Sequence, residues 1–375
     1  MAQLNSITVK GYKSIRELSN FQLKPLNILI GANGAGKSNF VMLFDLLYNI
    51  VSGNLQLTVG KAGGVDSFLH FGQKVTAEIK LELLFGSDGY KLSLIPGAGD
   101  VFVFSEETVC FRDGCDTPSN WKMLGHGGHR ESLLIVNRYC PSCILKMEEA
   151  DTKRIAADVL KFITSWQIYH FHDTSDSAMV KKTGDIGDNR SLRTDASNLA
   201  AYLYLLKKTK GEYYNNIVDA IRLAAPFFDD FILEPTQLNE NKIRLEWKER
   251  GSDSYFDAHS LSDGTLRFIC LATLLLQPEL PETILLDEPE LGLHPYAIAI
   301  LAELLRSASK RTQVIVSTQS VTLVDQFTPE DVIVVDRIDG QSTFKHLSAE
   351  EIAGWMDEYS LGELWQKNII GGRPR

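Results

Sequence analysis

The sequence predicts an α/β fold with a phosphate-loop core sheet, a flanking antiparallel sheet and an inserted helical lobe. Three observations predict it. The apolar run at residues 26–30 leads into Gly31-Ala32-Asn33-Gly34-Ala35-Gly36-Lys37-Ser38, and apolar residues at helical spacing follow. From residue 75 to 112, polar and apolar residues alternate. After residue 260, strand-like and helix-like stretches alternate, which implies a parallel sheet.

In order, residues 6–9 read as a strand, and 26–30 as a buried strand apolar on both faces. Phe40, Leu43, Phe44 and Leu47 give residues 39–50 a helical period. Residues 78–83 and 90–95 read as strands joined by the turn Ser87-Asp88-Gly89, and 101–104 and 108–111 continue the pattern. Residues 125–130 form a Gly/His-rich loop. Residues 150–162 are expected as helix, 167–171 as strand and the polar stretch 174–194 as a long mobile loop. Helices at 196–207 and 215–223 and a strand at 242–247 follow. Then come helix 266–276, strand 283–286, helix 296–308, strand 313–316 and strand 331–335. The expected division is 1–165 for the first half of the head, 166–255 for a mainly helical lobe, 256–345 for the second half and 346–375 for a tail. The chain shows no internal repeat and no sustained heptads.

The formal net charge of -10 gives no compositional reason to expect nucleic-acid binding. The longest apolar stretch, 268–276, falls far short of the ~20 residues a spanning helix needs. The first residues alternate polar and apolar, unlike a secretory leader. Five cysteines, an odd number in a long chain, do not suggest a disulfide framework. A reduced, cytoplasmic protein without a membrane partner is expected.

Gly31-x4-Gly36-Lys37-Ser38 satisfies every fixed position of the phosphate-loop pattern. Its glycines let backbone N–H groups face phosphate oxygens, the following helix adds its positive end, Lys37 supplies a charge and Ser38 a magnesium ligand. Gly31, Asn33, Gly34, Ala35, Gly36, Lys37, Ser38 and Asn39 are therefore expected to bind ATP. Ile284-Leu285-Leu286-Asp287-Glu288-Pro289 puts two acids at the end of a buried strand. Asp287 is expected to hold Mg2+ with Ser38, and Glu288 to orient and deprotonate water. An acidic turn after a strand is the plain alternative.

Leu261-Ser262-Asp263-Gly264-Thr265-Leu266-Arg267 precedes an apolar helix. An ordinary N-capped helix would explain it. It also resembles the signature of ABC ATPases in the form found in RecF, SMC and related proteins. Glu290-Leu291-Gly292-Leu293-His294-Pro295 resembles the D-loop, and Val314-Ile315-Val316-Ser317-Thr318-Gln319-Ser320 stands where the switch strand would be. With Ile7 to Ile15 at the start and Gly371-Gly372-Arg373-Pro374 at the end, the chain is similar to the RecF/SMC/OLD-like branch often grouped as AAA_21 ATPases. The resemblance implies an ABC ATPase head, with Ser262, Asp263 and Gly264 clamping ATP held by a second copy. It further implies a homodimer closed by an ATP sandwich, open to higher assembly, and a role in DNA maintenance or anti-phage defence.

Departures sharpen the expectation. The family usually has histidine at the position of Gln319, and glutamine cannot carry a proton away. Glu288 and Gln319 are the expected catalytic pair, with slow or gated turnover. No long arm separates Ser38 from Ser262, and little chain after Val335 remains for a nuclease domain, so an effector such as a nuclease would act in trans, with DNA a candidate partner. Gln73 and His172-Asp173 are rival Q-loop candidates. A nucleotide-regulated scaffold and a transporter subunit are the alternative functions.

Three weaker patterns remain. Cys110, Cys115, Cys140 and Cys143, with His126 and His129 as alternates, could hold zinc or be unrelated thiols. Lys181, Lys182, Arg190 and Arg193 form a basic cluster, more simply read as a solvated surface. Trp355, Tyr359, Leu361, Leu364 and Trp365 are expected to pack onto the core.

Overall fold

The computed structural model describes residues 3–111, 121–135 and 150–373. In chain order it contains β1 (Leu4–Tyr12), β2 (Ile15–Gln22), β3 (Leu26–Ile30), α1 (Lys37–Val51), α2 (Leu55–Lys61), β4 (Ile79–Phe85), β5 (Asp88–Gly97), β6 (Val101–Phe111), β7 (Trp121–Met123) and α3 (Ala150–Thr164). Then follow β8 (Trp166–Tyr169), β9 (Gly184–Asp185), α4 (Leu199–Thr209), α5 (Gly211–Ala224), β10 (Phe228–Ile232), β11 (Pro235–Thr236), β12 (Asn239–Ile243), β13 (Glu246–Glu249) and β14 (Tyr255–Asp257). The last part holds α6 (Asp263–Leu276), β15 (Thr283–Asp287), α7 (Pro295–Ser309), β16 (Gln313–Thr318), α8 (Val321–Val324), β17 (Val332–Ile338), β18 (Gln341–His346), α9 (Ala349–Met356) and α10 (Leu361–Gln366). The chain divides into two compact units, one of residues 1–166, 330–353 and 367–375, the other of 167–329 and 354–366.

In the first unit, β2-β1-β4-β5-β6-β7 form an antiparallel sheet. Strand β4 alternates buried and half-buried residues, as expected when one face covers a core. Strand β3 is buried at every position and pairs in parallel with β17, which turns back into β18. Helix α1 buries Phe40 and Phe44, and their rings meet Phe344 and Trp166 at centroid distances of 5.2 and 5.0 Å. Burying one such ring contributes about 2–3 kcal/mol.

Two readings change here. The β4–β5 turn is Gly86-Ser87, because Phe85 pairs with Asp88 and Leu83 with Tyr90. The separate strands expected at 101–104 and 108–111 are one strand, β6. A bulge at Ser105, between the pairs Leu94↔Phe104 and Ser93↔Glu106, shifts the buried positions from Phe102 and Phe104 to Glu107 and Val109.

Glu107 is wholly buried yet fully addressed. Its carboxylate accepts from the Tyr90 hydroxyl at 2.6 Å, the Ser132 hydroxyl at 2.5 Å, His129 Nε2 at 2.9 Å and the Leu133 amide at 2.9 Å. Four donors replace the water that a buried charge loses. Glu107→Ala is expected to cost about 3 kcal/mol, because it orphans buried hydroxyls and opens a cavity. Urea unfolding checks this, and an unchanged midpoint would contradict it.

In the second unit, β15 and β16 pair in parallel with Asp287 opposite Ser317. Helices α5, α6 and α7 pack on one another. Within 166–255, where the sequence suggests a helical lobe, α4 and α5 are joined by short antiparallel strands. Phe228, Phe231, Trp247 and Phe256 form an aromatic cluster across β10-β13-β14. The strand expected at 242–247 is interrupted after Ile243 and resumes at Glu246. Segment 174–194 is anchored rather than mobile. Ala178, Val180 and Lys181 are buried, and β9 pairs with β12. Lys181 therefore does not belong to a solvated basic surface, and Arg193 is paired with Asp188 at 2.6 Å. Leu361, Leu364 and Trp365 are buried as expected, whereas Trp355 is 45% exposed.

Candidate nucleotide site

Each unit carries part of the site residues named from sequence. In the first unit, the loop from Gly31 to Gly36 joins β3 to α1. Gly31 has φ 155, and a Cβ there would lie 2.2 Å from the Val335 carbonyl oxygen. Gly36 has φ 118, and its Cβ would lie 2.0 Å from Ser342 Oγ. Side chains at these two positions would fill the cradle, so the glycines are steric requirements.

Lys37 is 5% exposed, and its ammonium reaches across the loop to the carbonyls of Gly31 at 2.6 Å and Ala32 at 3.2 Å. The first turn of α1 presents Lys37, Ser38 and Asn39 at the positive helix end. The Asn39 amide is turned onto Ser14 Oγ at 2.7 Å. Gly34 carries Arg337 on its carbonyl at 3.3 Å. The α1 N-terminus thus has the shape and charge of an anion cradle.

In the second unit, three consecutive residues at the end of β16 hold three acids. The Ser317 hydroxyl donates to Asp287, the Thr318 hydroxyl to Glu290 and the Gln319 side-chain amide to Glu288. Asp287, Glu288 and Gln319 are the residues expected from the sequence. The parts of Ser317, Thr318 and Glu290 escape that reading. Their signal lies in the pairing of the strands, since a register of Asp287 opposite Ser317 places each next to the acidic loop. Burial pushes the Glu290 carboxyl above the ordinary carboxylate range, against the pull of the Thr318 hydroxyl and the Gln319 backbone N–H.

Glu288 has φ 45, in the left-handed region that a glutamate seldom adopts. Its amide is held by the Ser317 carbonyl at 2.8 Å. Such strain persists where surrounding contacts over-determine the backbone, and it clusters at functional positions.

Ser262 caps α6, accepting from the Thr265 amide at 3.2 Å. Ser262 and Asp263 are exposed at that helix tip. Gly264 meets the D-loop so closely that a Cβ would lie 2.2 Å from the Gly292 carbonyl oxygen. Arg267 ties the signature helix to two neighbours. It donates to the carbonyls of Phe171 at 3.0 Å, His172 at 3.2 Å and Leu291. His172, of the rival Q-loop candidates, shares a small cavity with Arg267, Asp287 and Glu288. Gln73 lies in the first unit, its amide on Asp66.

Of the candidate zinc ligands, Cys115, Cys140 and Cys143 lie outside the described residues. Cys110 is buried in β6, and His129 is committed to Glu107. Among the described residues, no three or more histidine, cysteine or acidic side chains cluster as ligands of a metal ion.

The chain has the fold of SMC heads, the ABC-type ATPase architecture. It is similar to an SMC head solved with the C-terminal winged-helix domain of ScpA, at TM-score 0.54 and 18% identity, covering 94% of this chain and 99% of that one. It is also similar to an SMC head with an extended coiled coil bound to the C-terminal domain of ScpA, derived from Pyrococcus furiosus, at TM-score 0.52 and 16% identity, covering 96% and 99%. Residues 164–325 match the model of the AAA_21 family, described as "AAA domain, putative AbiEii toxin, Type IV TA system". A Methanosarcina acetivorans protein described as "Putative ABC transporter ATP-binding protein" is 32% identical over 124 residues, 30% of this chain and 44% of that protein. No helix among the described residues is long and apolar enough to cross a membrane.

Proposed function

We propose that the protein is an ATP-hydrolysing switch that dimerises on nucleotide, with magnesium at the site. The observation that carries this reading is the acidic loop. Asp287 and Glu288 end a buried strand, and Ser317 and Gln319 hold their carboxylates. A second group of the proposed residues lies on the phosphate loop. Its cradle is one that a Cβ at Gly31 or Gly36 would fill, and Lys37 brings the cation.

Glu288 would accept the proton of the attacking water, and Gln319 would hold that carboxylate in place. The oxygen donors Ser38 and Asp287 suit magnesium, which when bound neutralises charge on the phosphates. Ser262, Asp263 and Gly264 would supply a second cradle to nucleotide held by another copy, because the exposed α6 tip offers amides and a hydroxyl.

Magnesium-dependent phosphate release from ATP tests the proposal, and a rate equal to that of Glu288→Gln would sink it. A mixing experiment tests the shared site. Ser262→Ala and Lys37→Ala are each expected to lose hydrolysis, while an equimolar mixture regains up to about a quarter of the wild-type rate by random pairing. Mixtures as inactive as the separate variants would exclude a composite site.

A nucleotide-regulated scaffold with very slow hydrolysis is the second reading, and Gln319 favours it. An amide can donate to Glu288 but cannot relay a proton. The name of the archaeal relative suggests a transporter subunit, whereas likeness to SMC heads over most of the chain supports a switch in DNA maintenance or defence. The toxin–antitoxin wording of the family supports the defence arm, with a nuclease or other effector and DNA as the partners to test.

A further inference from the structure

The phosphate loop of the first unit is backed by a hairpin about 300 residues downstream. Strands β17 and β18 turn at Asp339-Gly340, and three of the hairpin's residues address the loop. The Val335 carbonyl closes on Gly31, the Arg337 guanidinium holds the Gly34 carbonyl and the Ser342 hydroxyl holds the Ala35 carbonyl at 2.5 Å. Ser342 is 1% exposed and also lies 2.7 Å from the hydroxyl of Ser14, in the turn between β1 and β2. Ser14 in turn receives the Asn39 amide from the first turn of α1.

These contacts form one cluster. The Ser342 hydroxyl donates to the Ala35 carbonyl at 2.5 Å and shares its proton with Ser14 Oγ at 2.7 Å, and Ser14 Oγ also accepts from the Asn39 side-chain amide.

The bond to Ala35 matters for the loop. The described peptide bonds include no cis bond, and a trans peptide points its C=O and N–H in opposite directions. Holding the Ala35 carbonyl on Ser342 therefore turns the Gly36 N–H away from the hairpin, toward the open side of the loop. Gly36 lacks a Cβ where Ser342 Oγ would be 2.0 Å away, so hydroxyl and glycine fit as one arrangement.

We propose that Ser342 is a positioning residue for the nucleotide site, acting with Ser14 to aim the Gly36 amide at a bound phosphate. This rests on reading the Gly31–Ser38 loop as a nucleotide cradle. Both serines are buried, Ser14 7% and Ser342 1% exposed, so their proposed effect is on loop shape.

The test is calorimetry of the full chain with Mg·ATP and Mg·ADP, together with steady-state hydrolysis. Ser342→Ala and Ser14→Ala are each expected to weaken both nucleotides about tenfold, and to raise KM tenfold with kcat changed less than twofold. Because either change breaks the same cluster, the double variant is expected to lose no more than one of them. Should Ser342→Ala fail to fold, Ser342→Cys keeps the side-chain shape while replacing the hydroxyl by a weak S–H donor, and is expected to give the same loss. Affinities within twofold of wild type would overturn the inference, as would losses that multiply in the double variant. Failure of the wild-type chain to bind Mg·ATP would instead overturn the reading of the loop, and this inference with it.

Discussion

Lys37→Ala is expected to weaken ATP binding at least 100-fold. Two losses combine. In the proposed site the ammonium would face the outer phosphates, and charge-assisted hydrogen bonds of this kind are worth about 1.5–3 kcal/mol each. The same ammonium also spans the loop, donating to Gly31 and Ala32, so its removal leaves two carbonyls turned toward an incoming anion. The side chain is 5% exposed, which makes the replacement a local cavity rather than a surface trim. Lys37→Arg is not a conservative control, since the planar guanidinium does not fit a point-charge position. Calorimetry with Mg·ATP checks this, and an affinity within a few-fold of wild type refutes the assignment of the loop.

The second large effect is on Glu288. Glu288→Gln keeps size and hydrogen-bonding shape, so the backbone at φ 45 and the contact with Gln319 can survive. What it removes is the carboxylate that would accept a proton from water. General-base loss lowers turnover by about 10²–10⁴-fold. Binding is expected to remain within a few-fold of wild type, so the nucleotide-bound dimer should accumulate. Single-turnover phosphate release reads the first consequence, and light scattering with ATP reads the second. A rate within tenfold of wild type, or a strict monomer with saturating ATP, would count against the mechanism and the dimer respectively.

Both variants address residues that are legible in the amino-acid sequence. Local chemistry makes them so. An apolar run that ends in glycine, followed by a Gly-Lys-Ser at fixed spacing, needs no distant partner to be read, and β3 falls on the residues its apolar pattern marks. The same holds for β15, where three apolar residues precede two acids. The helical period of α6 becomes readable only at Leu266, three residues late. Asp263, Gly264 and Thr265 carry no apolar stripe, and the start is set by the Ser262 cap.

Distant contacts decide the rest. Ser105-Glu106-Glu107 reads as a break between two strands because consecutive polar and acidic residues belong in water, yet Glu107 is buried. Tyr90, His129, Ser132 and Leu133 bring it inside, and only their convergence makes β6 continuous. Lys181 reads as solvated for the same reason and is buried. By itself the sequence determined the chemistry of this protein: a phosphate loop, an acid pair and a serine-led helix tip, each encoded within a few neighbouring residues. Tertiary structure alone decided the orientation of that chemistry, because the partners of Asp287, Glu288 and Ala35 lie 30, 31 and 307 positions away. Backbone aim and carboxylate geometry depend on those partners, and no local pattern in the chain records them.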